Sequence, residues 1–427
     1  MSINPIVLLL VELGITSIVV GFTAPFSVTR IGALLPVAIC VWQCISTAME
    51  DYMIRRCWAG LVAGHAVLSL VGYVDVALLS RWSFQTRGPA TAIASSSSSR
   101  DVSGKQQQQQ QAAKRPGDHD DDDVDGSSWW NRLTFGFLVA CSCRHVGTPW
   151  QLKNTFRFSN SDPDYVPSRA AFLMQAAFKF LLCYLALDVL TSHSDPEISK
   201  KYFSTQKIPV LRRLHEISAE ELIVRTSTTI VIGIIAVSIV VVNYSLLAFL
   251  AVLFGFGEPR DWPPCFGSIF DAYSVRRFWR MVWHQSFTHR FLSVALFLIH
   301  DVCKFPRGTS VARYARFLTV FLISGVVHLL IDTAAGIPLH ESGAIQFFCT
   351  QVLGILMEEL VAGAYCRGCT TCGKRLPPLV ERLIGYAWVG AFLVWCVPAY
   401  MYPMLYRSTG GLDDTVVPVS VVTMLVG

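Results

Sequence analysis

Charge is scarce in this chain. Of its 427 residues only 15% are Asp, Glu, Lys or Arg, while 52% are hydrophobic, against roughly 25% charged in an ordinary soluble domain. A surface so poor in charge excludes a water-soluble globule and makes the chain a multispanning, all-α membrane protein, because helices satisfy their own backbone in lipid. Several chemistries are missing as well. The chain has no G-x-S-x-G elbow, no Gly-rich phosphate loop and no paired His-rich boxes, which excludes serine-hydrolase, P-loop and di-iron chemistry of the usual kinds. It has no internal repeat and no pair of interrupted apolar segments, features a transporter would carry. No basic stretch precedes the first apolar run and no small-residue cleavage pattern follows it, so that run reads as a retained signal anchor.

Apolar stretches of bilayer-crossing length, about 17 to 25 residues, are read at Pro5–Ala24, Ile31–Ala48, Cys57–Leu79, Ala170–Leu190, Thr226–Phe256, Phe291–Cys303, Phe317–Ala335, Ala344–Tyr365 and Leu383–Leu405. The expectation is eight or nine transmembrane helices, with Phe291–Cys303 the shortest. Lys and Arg are spread over loops of both sides, so the positive-inside rule leaves orientation open at this stage.

Three regions follow. Residues 1–80 hold N-terminal membrane helices, 81–128 a low-complexity loop, and 129–427 the larger membrane core. The loop carries Ser95–Ser99, Gln106–Gln111 and an Asp120–Asp123 run, and its near-absence of apolar residues reads as disorder. An aspartate run can hold pyrophosphate through magnesium when it sits at helix ends, but in a polar tract the solvated-linker reading prevails. Of thirteen cysteines, Cys366, Cys369 and Cys372 form a C-x-x-C-x-x-C cluster. No fourth ligand is near, so no metal site is assigned, and lipidation or juxtamembrane packing is the plainer reading.

The densest run of Trp, Arg and His is Glu258–Phe287, EPRDWPPCFGSIFDAYSVRRFWRMVWHQSF. Arg and His near hydrocarbon cost free energy unless they have a partner or a task. From about Ser268 the pattern predicts a helix with Tyr273, Arg277, Arg280 and His284 on one stripe and Trp279, Trp283 and Phe287 on its flank, as for a helix lying at the membrane interface. Upstream, Arg144–Asn154 reads as a turn, through Gly147 and Pro149, anchored by Trp150 and Lys153.

Together RHVGTPWQLKN, VPSRAAFLMQAAFKFLLCYLALDVL, DWPPCFGSIFDAYSVRRFWRMVWHQSF and SGVVHLLID resemble the fungal wax-synthase-like acyltransferases, relatives of the membrane-bound O-acyltransferases. The likeness runs from about Arg144 to Glu359. It departs at His145, where the family usually has Gly, and in the Gln- and Asp-rich insert. The resemblance implies a bundle of the membrane-bound O-acyltransferase kind and acylation of hydroxyls, acetylation of terpenoids and meroterpenoids in secondary metabolism above all. It also implies acyl-CoA as co-substrate, acetyl-CoA first, with no permanently bound cofactor. The partners implied are a hydrophobic alcohol and membrane lipid, with no nucleic acid, in the endoplasmic reticulum.

The resemblance assigns catalysis to His328. An alcohol attacking a thioester must lose its proton, and a neutral imidazole suits that task. Ser324 and Asp332 stand four residues to either side, so the three can share a helix face. Asp332 either orients the ring or marks the helix end, and both readings stand. His284 is as fit for positioning substrate as for acid–base work, and Gln285 is a candidate oxyanion donor. Arg276, Arg277 and Arg280, with Trp283 beside them, are candidates for binding coenzyme A, lipid headgroup contact being the alternative. The spacing of His328 and Asp332 also fits the soluble H-x-x-x-D acyltransferases, but their D-F-G-W-G motif is absent. The rivals in function are a long-chain wax or sterol ester synthase and a non-catalytic transporter or lipid-binding protein.

Overall fold

The computed structural model describes residues 3–47, 55–91, 128–192, 195–372, 375–408 and 415–426. Ten helices carry the architecture: α1 (Pro5–Phe22), α2 (Leu34–Thr47), α3 (Arg56–Tyr73), α4 (Trp129–Cys141), α5 (Arg169–Thr191), α6 (Ala219–Leu253), α7 (Thr288–Leu296), α8 (Ser310–Ala334), α9 (Ala344–Cys372) and α10 (Pro378–Tyr406). Among the described residues eight helical segments are long and apolar enough to cross a membrane, all of these except α4 and α7. The expected ninth span, Phe291–Cys303, is instead the nine-residue α7 followed by a π-helical turn, Phe297–Val302. Buried His289 and Arg290 at its start tie it into the protein, where a free-standing lipid span would exclude them.

The eight spans alternate in direction. One face gathers the start of α1, the end of α2, the start of α3 and the ends of α5, α8 and α10. There the Cys44 thiol approaches the Pro5 carbonyl, Arg56 donates to the Arg407 carbonyl at 2.7 Å, and Arg407 donates to the Gly336 carbonyl at 3.0 Å. The opposite face gathers the other ends: Arg30 donates to the Ala77 carbonyl, Arg169 to the Leu253 carbonyl and Arg313 to Glu359. Lys and Arg stand at both faces but are more numerous at the second, where the loop between α6 and α8 alone carries Arg260, Arg276, Arg277, Arg280, Lys304 and Arg307. At the first face Arg55, Arg56 and Arg407 join Lys200, Lys201 and Arg213, the last three standing among Glu197, Glu216, Glu220 and Glu221.

Helix α4 carries no sequence signal of a span, being only 13 residues long, and packs lengthwise on α1. The contact is made backbone to backbone: a Cβ on Gly136 would stand 1.9 Å from the Ser17 carbonyl oxygen, and one on Gly21 would stand 2.3 Å from the Arg132 oxygen. Small residues at a helix crossing are the usual means of such close approach in lipid, where packing must drive association.

The polar tract begins later than the sequence predicts. Trp82–Ser83 pairs antiparallel with Gly88–Pro89, and buried Trp82 stacks on His145 at 4.5 Å and meets Trp150 edge-on at 5.2 Å. Trp150 is therefore a packing residue of the hairpin, and the repetitive part of the insert, 92–127, lies outside the described residues. Cys366 is exposed, and the side chains of Cys369 and Cys372 also lie outside them. Among the described residues no three His, Cys, Asp or Glu side chains are grouped as metal ligands.

In α10, Pro398 and Pro403 interrupt the ladder, because each lacks the N–H that the carbonyl four residues earlier would accept. For Pro398 that carbonyl belongs to Val394, and the buried Arg225 of α6 donates to it at 2.9 Å and to Trp395 at 3.1 Å. For Pro403 it belongs to Ala399, and Gly343 packs so close that a Cβ there would stand 1.7 Å from it. Tyr400, between the two prolines, lines the interior cavity.

The α1–α4 crossing gives a direct test. Gly136→Ala should cost about 1–3 kcal/mol through overpacking and lower the melting temperature of the detergent-solubilised protein. Gly390→Ala, with nothing within 4 Å of the added carbon, should leave it in place. Equal melting temperatures for the two variants would refute the close-approach account.

Candidate active site

His328 lies on α8, six residues before its end. Its Nδ1 is 2.8 Å from the Ser324 carbonyl of the preceding turn. Only a protonated nitrogen makes that bond, so in the neutral ring Nε2 is left as the acceptor. The ring leans on Phe348 at 4.4 Å and meets Tyr400 edge-on at 5.8 Å, so aromatic faces on α9 and α10 fix its plane. Asp332 does not contact the imidazole. It accepts from the Ser342 hydroxyl at 2.5 Å. Orientation of the ring therefore comes from the Ser324 carbonyl, while Asp332 ties the end of α8 to the turn before α9. Tyr400, Phe348 and Ser342 carry no motif; the signal in the sequence was the pair Pro398 and Pro403 inside an apolar run.

The interfacial helix expected from Ser268 onward is broken. One α-helical turn, Val275–Arg277, passes into a π-helical turn, Phe278–Val282, and Trp283 is extended. Packing outweighs amphipathic periodicity here. Trp279 sits among Phe321, Phe347 and Phe348 and donates from Nε1 to Gln351 at 3.1 Å. Gly267 comes so close to the Met281 carbonyl that a Cβ would stand 1.9 Å from it, and its N–H donates to Val282. Glu358 accepts from the Val275 and Arg276 amides and from Trp388. The segment consequently turns inward and takes His284 away from the arginines.

His284 is walled by Trp283, Phe266 and Phe287 at 5.5–5.8 Å. Its Nδ1 is buried without a hydrogen-bond partner. Burial pushes its pKa down to about 4, and the nearby His328 adds to the shift. It is thus a neutral ring at any physiological pH. Gln285 donates to the Asn154 carbonyl at 2.8 Å while its Oε1 is buried and unpartnered; its amide already holds the Arg144–Asn154 loop. That loop is clamped a second time by Arg144, which donates to the carbonyls of Pro263 and Pro264 and to the Tyr244 hydroxyl at 2.6–2.7 Å.

His328, Asp332, His284 and Trp283 line one cavity of about 2210 Å3, together with Ser324 and Tyr400. It runs between the two faces: Arg56 and Arg407 border it at the first, Gly257, Glu258 and Asp261 at the second. Single-ligand pockets measure about 300–1,000 Å3, so this one has room for two substrates. Its lining is mostly apolar. Arg276, Arg277 and Arg280 do not line it. Arg276 pairs with Glu359 at 2.9 Å, Arg277 with Asp271 at 2.5 Å, and Arg280 is exposed.

A neutral imidazole with an open Nε2, held by aromatics in a two-substrate cavity inside a membrane bundle, is equipped to take a proton from one apolar-bound reactant. Residues 262–350, which contain both histidines, match the membrane bound O-acyl transferase family. Across the longer chain, it is 29% identical to acetyltransferase fsoF of Humicola fuscoatra, over 96% of this chain and 98% of that protein. It is 30% identical to acetyltransferase aurG of Calcarisporium arbuscula (79% and 77%) and 32% identical to acetyltransferase ataH of Aspergillus terreus (66% and 92%). The chain belongs to the membrane bound O-acyl transferase family. It is a multi-pass membrane acyltransferase, and its co-substrate is an acyl-CoA. No solved structure matches it.

Burial of His284 as the neutral ring carries a pH signature. The unfolded chain binds a proton at about pH 6.5 that the folded chain refuses until about 4, so stability falls as pH drops through that window. Thermal melts of the acyltransferase should therefore shift down between pH 6.5 and 4, and His284→Gln should flatten part of that slope. An unchanged slope in the variant would mean that His284 titrates freely.

Proposed function

We propose that the protein is an acetyl-CoA-dependent O-acetyltransferase that esterifies a hydroxyl of a hydrophobic terpenoid or meroterpenoid, with His328 as general base. The observation that carries this reading is the open Nε2 of His328 in a cavity large enough for donor and acceptor together. The acceptor hydroxyl gives its proton to Nε2 as its oxygen bonds to the thioester carbonyl carbon. The carbon–sulfur bond then breaks, the acyl group stays on the acceptor oxygen, and the proton passes to the departing thiolate. No covalent acyl-enzyme is needed. The Tyr400 and Phe348 rings keep the imidazole from turning, and their apolar surroundings exclude the water that would hydrolyse the thioester. His284, neutral and on the same cavity, has the right polarity to hold the acceptor or the thioester carbonyl without competing for the proton.

The acetyl group as cargo is favoured by the names of the relatives, each an acetyltransferase. The apolar lining favours an acceptor drawn from the membrane, as a terpenoid would be. The excess of arginine at the second face orients that face to the cytosol, where acyl-CoA is made, and a multi-pass protein of this kind is inserted at the endoplasmic reticulum.

Microsomes containing the protein, given labelled acetyl-CoA or palmitoyl-CoA and a panel of terpenoid alcohols, should form the acetyl ester. Formation of the palmitoyl ester alone would make it a long-chain ester synthase, and binding of the alcohols with neither ester formed would count against catalysis. His328→Gln keeps volume and hydrogen bonding but cannot accept the proton, and should lower turnover by a factor of about 10² to 10⁴. A variant within a few-fold of the parent would make His328 a structural residue.

A further inference from the structure

His65 faces the large cavity, and the reaction proposed above leaves it unused. It is exposed near the middle of α3, where an ionisable side chain costs free energy unless it has a task. Its exposure is toward the cavity: Ala66 and Val67 pack α3 against α1, α2 and α8, while Leu61, His65 and Ser69, one turn apart from each other, line the cavity wall. Nδ1 of His65 is 2.7 Å from the Leu61 carbonyl. Only a protonated nitrogen makes that bond, so in the neutral ring Nε2 is an acceptor, and among the described residues nothing donates to it. The Ser69 hydroxyl has no partner among the described residues either, although a helical serine is able to bond the carbonyl one turn back, as Ser17 and Ser46 do. An acceptor nitrogen and a free hydroxyl thus stand one helical turn apart on a wall that is otherwise apolar.

The depth of this pair is that of His328. Helices α3 and α8 run antiparallel along a seam of glycines. A Cβ on Gly60 would stand 3.3 Å from Ile331 Cγ2 and 3.7 Å from Ala335 Cβ, and one on Gly64 would stand 3.0 Å from Ile331 Cδ1. One turn further along α3, Val67 and Leu68 join Val327 in a single apolar cluster. With Gly64 level with Ile331 and the two helices antiparallel, His328 falls between the levels of His65 and Ser69. Both helices line the cavity, and helix axes in contact stand about 8–10 Å apart. One small molecule with a hydroxyl at His328 therefore also touches the α3 wall.

We infer that His65 and Ser69 bind a second hydroxyl of the acyl acceptor, so that the substrate is a hydrophobic diol, docked on α3 by one hydroxyl while the other is esterified at His328. The kind of group follows from the donors and acceptors on the wall. Nε2 of a neutral His65 takes a hydrogen bond and gives none, so it selects an O–H over a carbonyl or ether oxygen, and the Ser69 hydroxyl donates to the oxygen thus placed. The lining around them, Leu61, Leu68 and Ile331, suits hydrocarbon between the two hydroxyls. A monohydroxy long-chain alcohol would leave His65 and Ser69 covered and unmet, at the cost of burying polar groups without partners. The pair also selects the position esterified, since docking one hydroxyl on α3 decides which other one reaches His328. That the occupant is the acyl acceptor rests on the acyltransfer reading above; binding of a hydroxyl by the α3 wall does not.

The test measures direct binding to the full-length protein in phosphatidylcholine nanodiscs, with empty nanodiscs subtracted, and in parallel turnover with acetyl-CoA. The probes are rigid decalin diols whose second hydroxyl lies on the adjacent carbon, on the next carbon or across the ring system. Each is compared with the monohydroxy compound and with the mono-O-methyl ether, which cannot donate at that position. At least one diol should bind about tenfold to a hundredfold more tightly than both of its partners, the range for a buried polar group left unmet. His65→Leu should bring that ratio close to unity, His65→Gln, whose amide oxygen accepts, should keep part of it, and Ser69→Ala should lower it. In turnover the same loss should appear in kcat/KM for the diol and not in KM for acetyl-CoA. No preference for any diol in the parent, or a preference that survives in His65→Leu folded as judged by its melting temperature, refutes the hydroxyl site. Equal loss of turnover on diols and monohydroxy alcohols would place His65 in the acid–base machinery and overturn its role in recognition. A diol preference in binding that depends on His65, with no ester formed from any donor, would leave the hydroxyl site standing and overturn the acyltransfer reading.

Discussion

The bond from His328 Nδ1 to the Ser324 carbonyl decides what the rest of the bundle has to do, because it takes one ring nitrogen out of play and leaves the other to the cavity. In water such a bond would compete with solvent and set nothing. Inside a membrane bundle there is no competing donor, and a neutral imidazole holds one tautomer as long as its plane is held. Holding the plane falls to Phe348 on α9 and Tyr400 on α10. Each stands next to a local irregularity: α9 starts where Ser342 binds Asp332, and α10 carries two prolines that leave gaps in its hydrogen-bond ladder. Asp332 enters here as the acceptor that keeps Ser342, and with it the start of α9, in register with α8.

The same economy governs the other buried polar groups. Every departure from a straight apolar helix frees backbone groups that hydrocarbon cannot satisfy, and a buried arginine repeatedly supplies the donors. Arg225 serves the carbonyls loosened by Pro398, Arg144 serves Pro263 and Pro264, and Arg290 serves Leu68 and Ala140. A guanidinium suits the task because its donors are several, rigidly spread and always charged. These arginines are structural, and their partners are carbonyl oxygens.

The spans were legible because a long apolar run has few alternatives to a membrane helix, and the place of His328 within one of them was legible for the same reason. Helix α4 was not: 13 residues with Arg132 and Asn131 among them carry no spanning signal, and their place is set by two glycines meeting backbone carbonyls. The segment from Ser268 to Phe287 misled for a related cause. Its charges and aromatics have helical spacing, but spacing says nothing of the Gly267–Met281 contact or of Glu358, eighty residues on, which together turn the chain inward. Pairing of Arg276 with Glu359 and Arg277 with Asp271 is equally a matter of tertiary approach, and it takes both away from the cavity that the linear pattern had them serve.

A membrane acyltransferase must bring together a donor whose nucleotide end belongs in water and an acceptor that belongs in lipid. A single mouth would force one of them through the wrong phase, at a desolvation cost of several kcal/mol for each charged phosphate. The cavity avoids that cost by its extent: it passes through the protein from Arg56 and Arg407 at one face to Glu258 and Asp261 at the other, with His328 between and apolar helices along the way. Position along α8 then becomes the decisive quantity. His328, six residues from one end of the helix and eighteen from the other, stands well inside the bundle, so the base proposed for it would work away from the water at either face. Moving the histidine two turns toward Ser310 would draw the acyl group back to the interface and the water it must avoid.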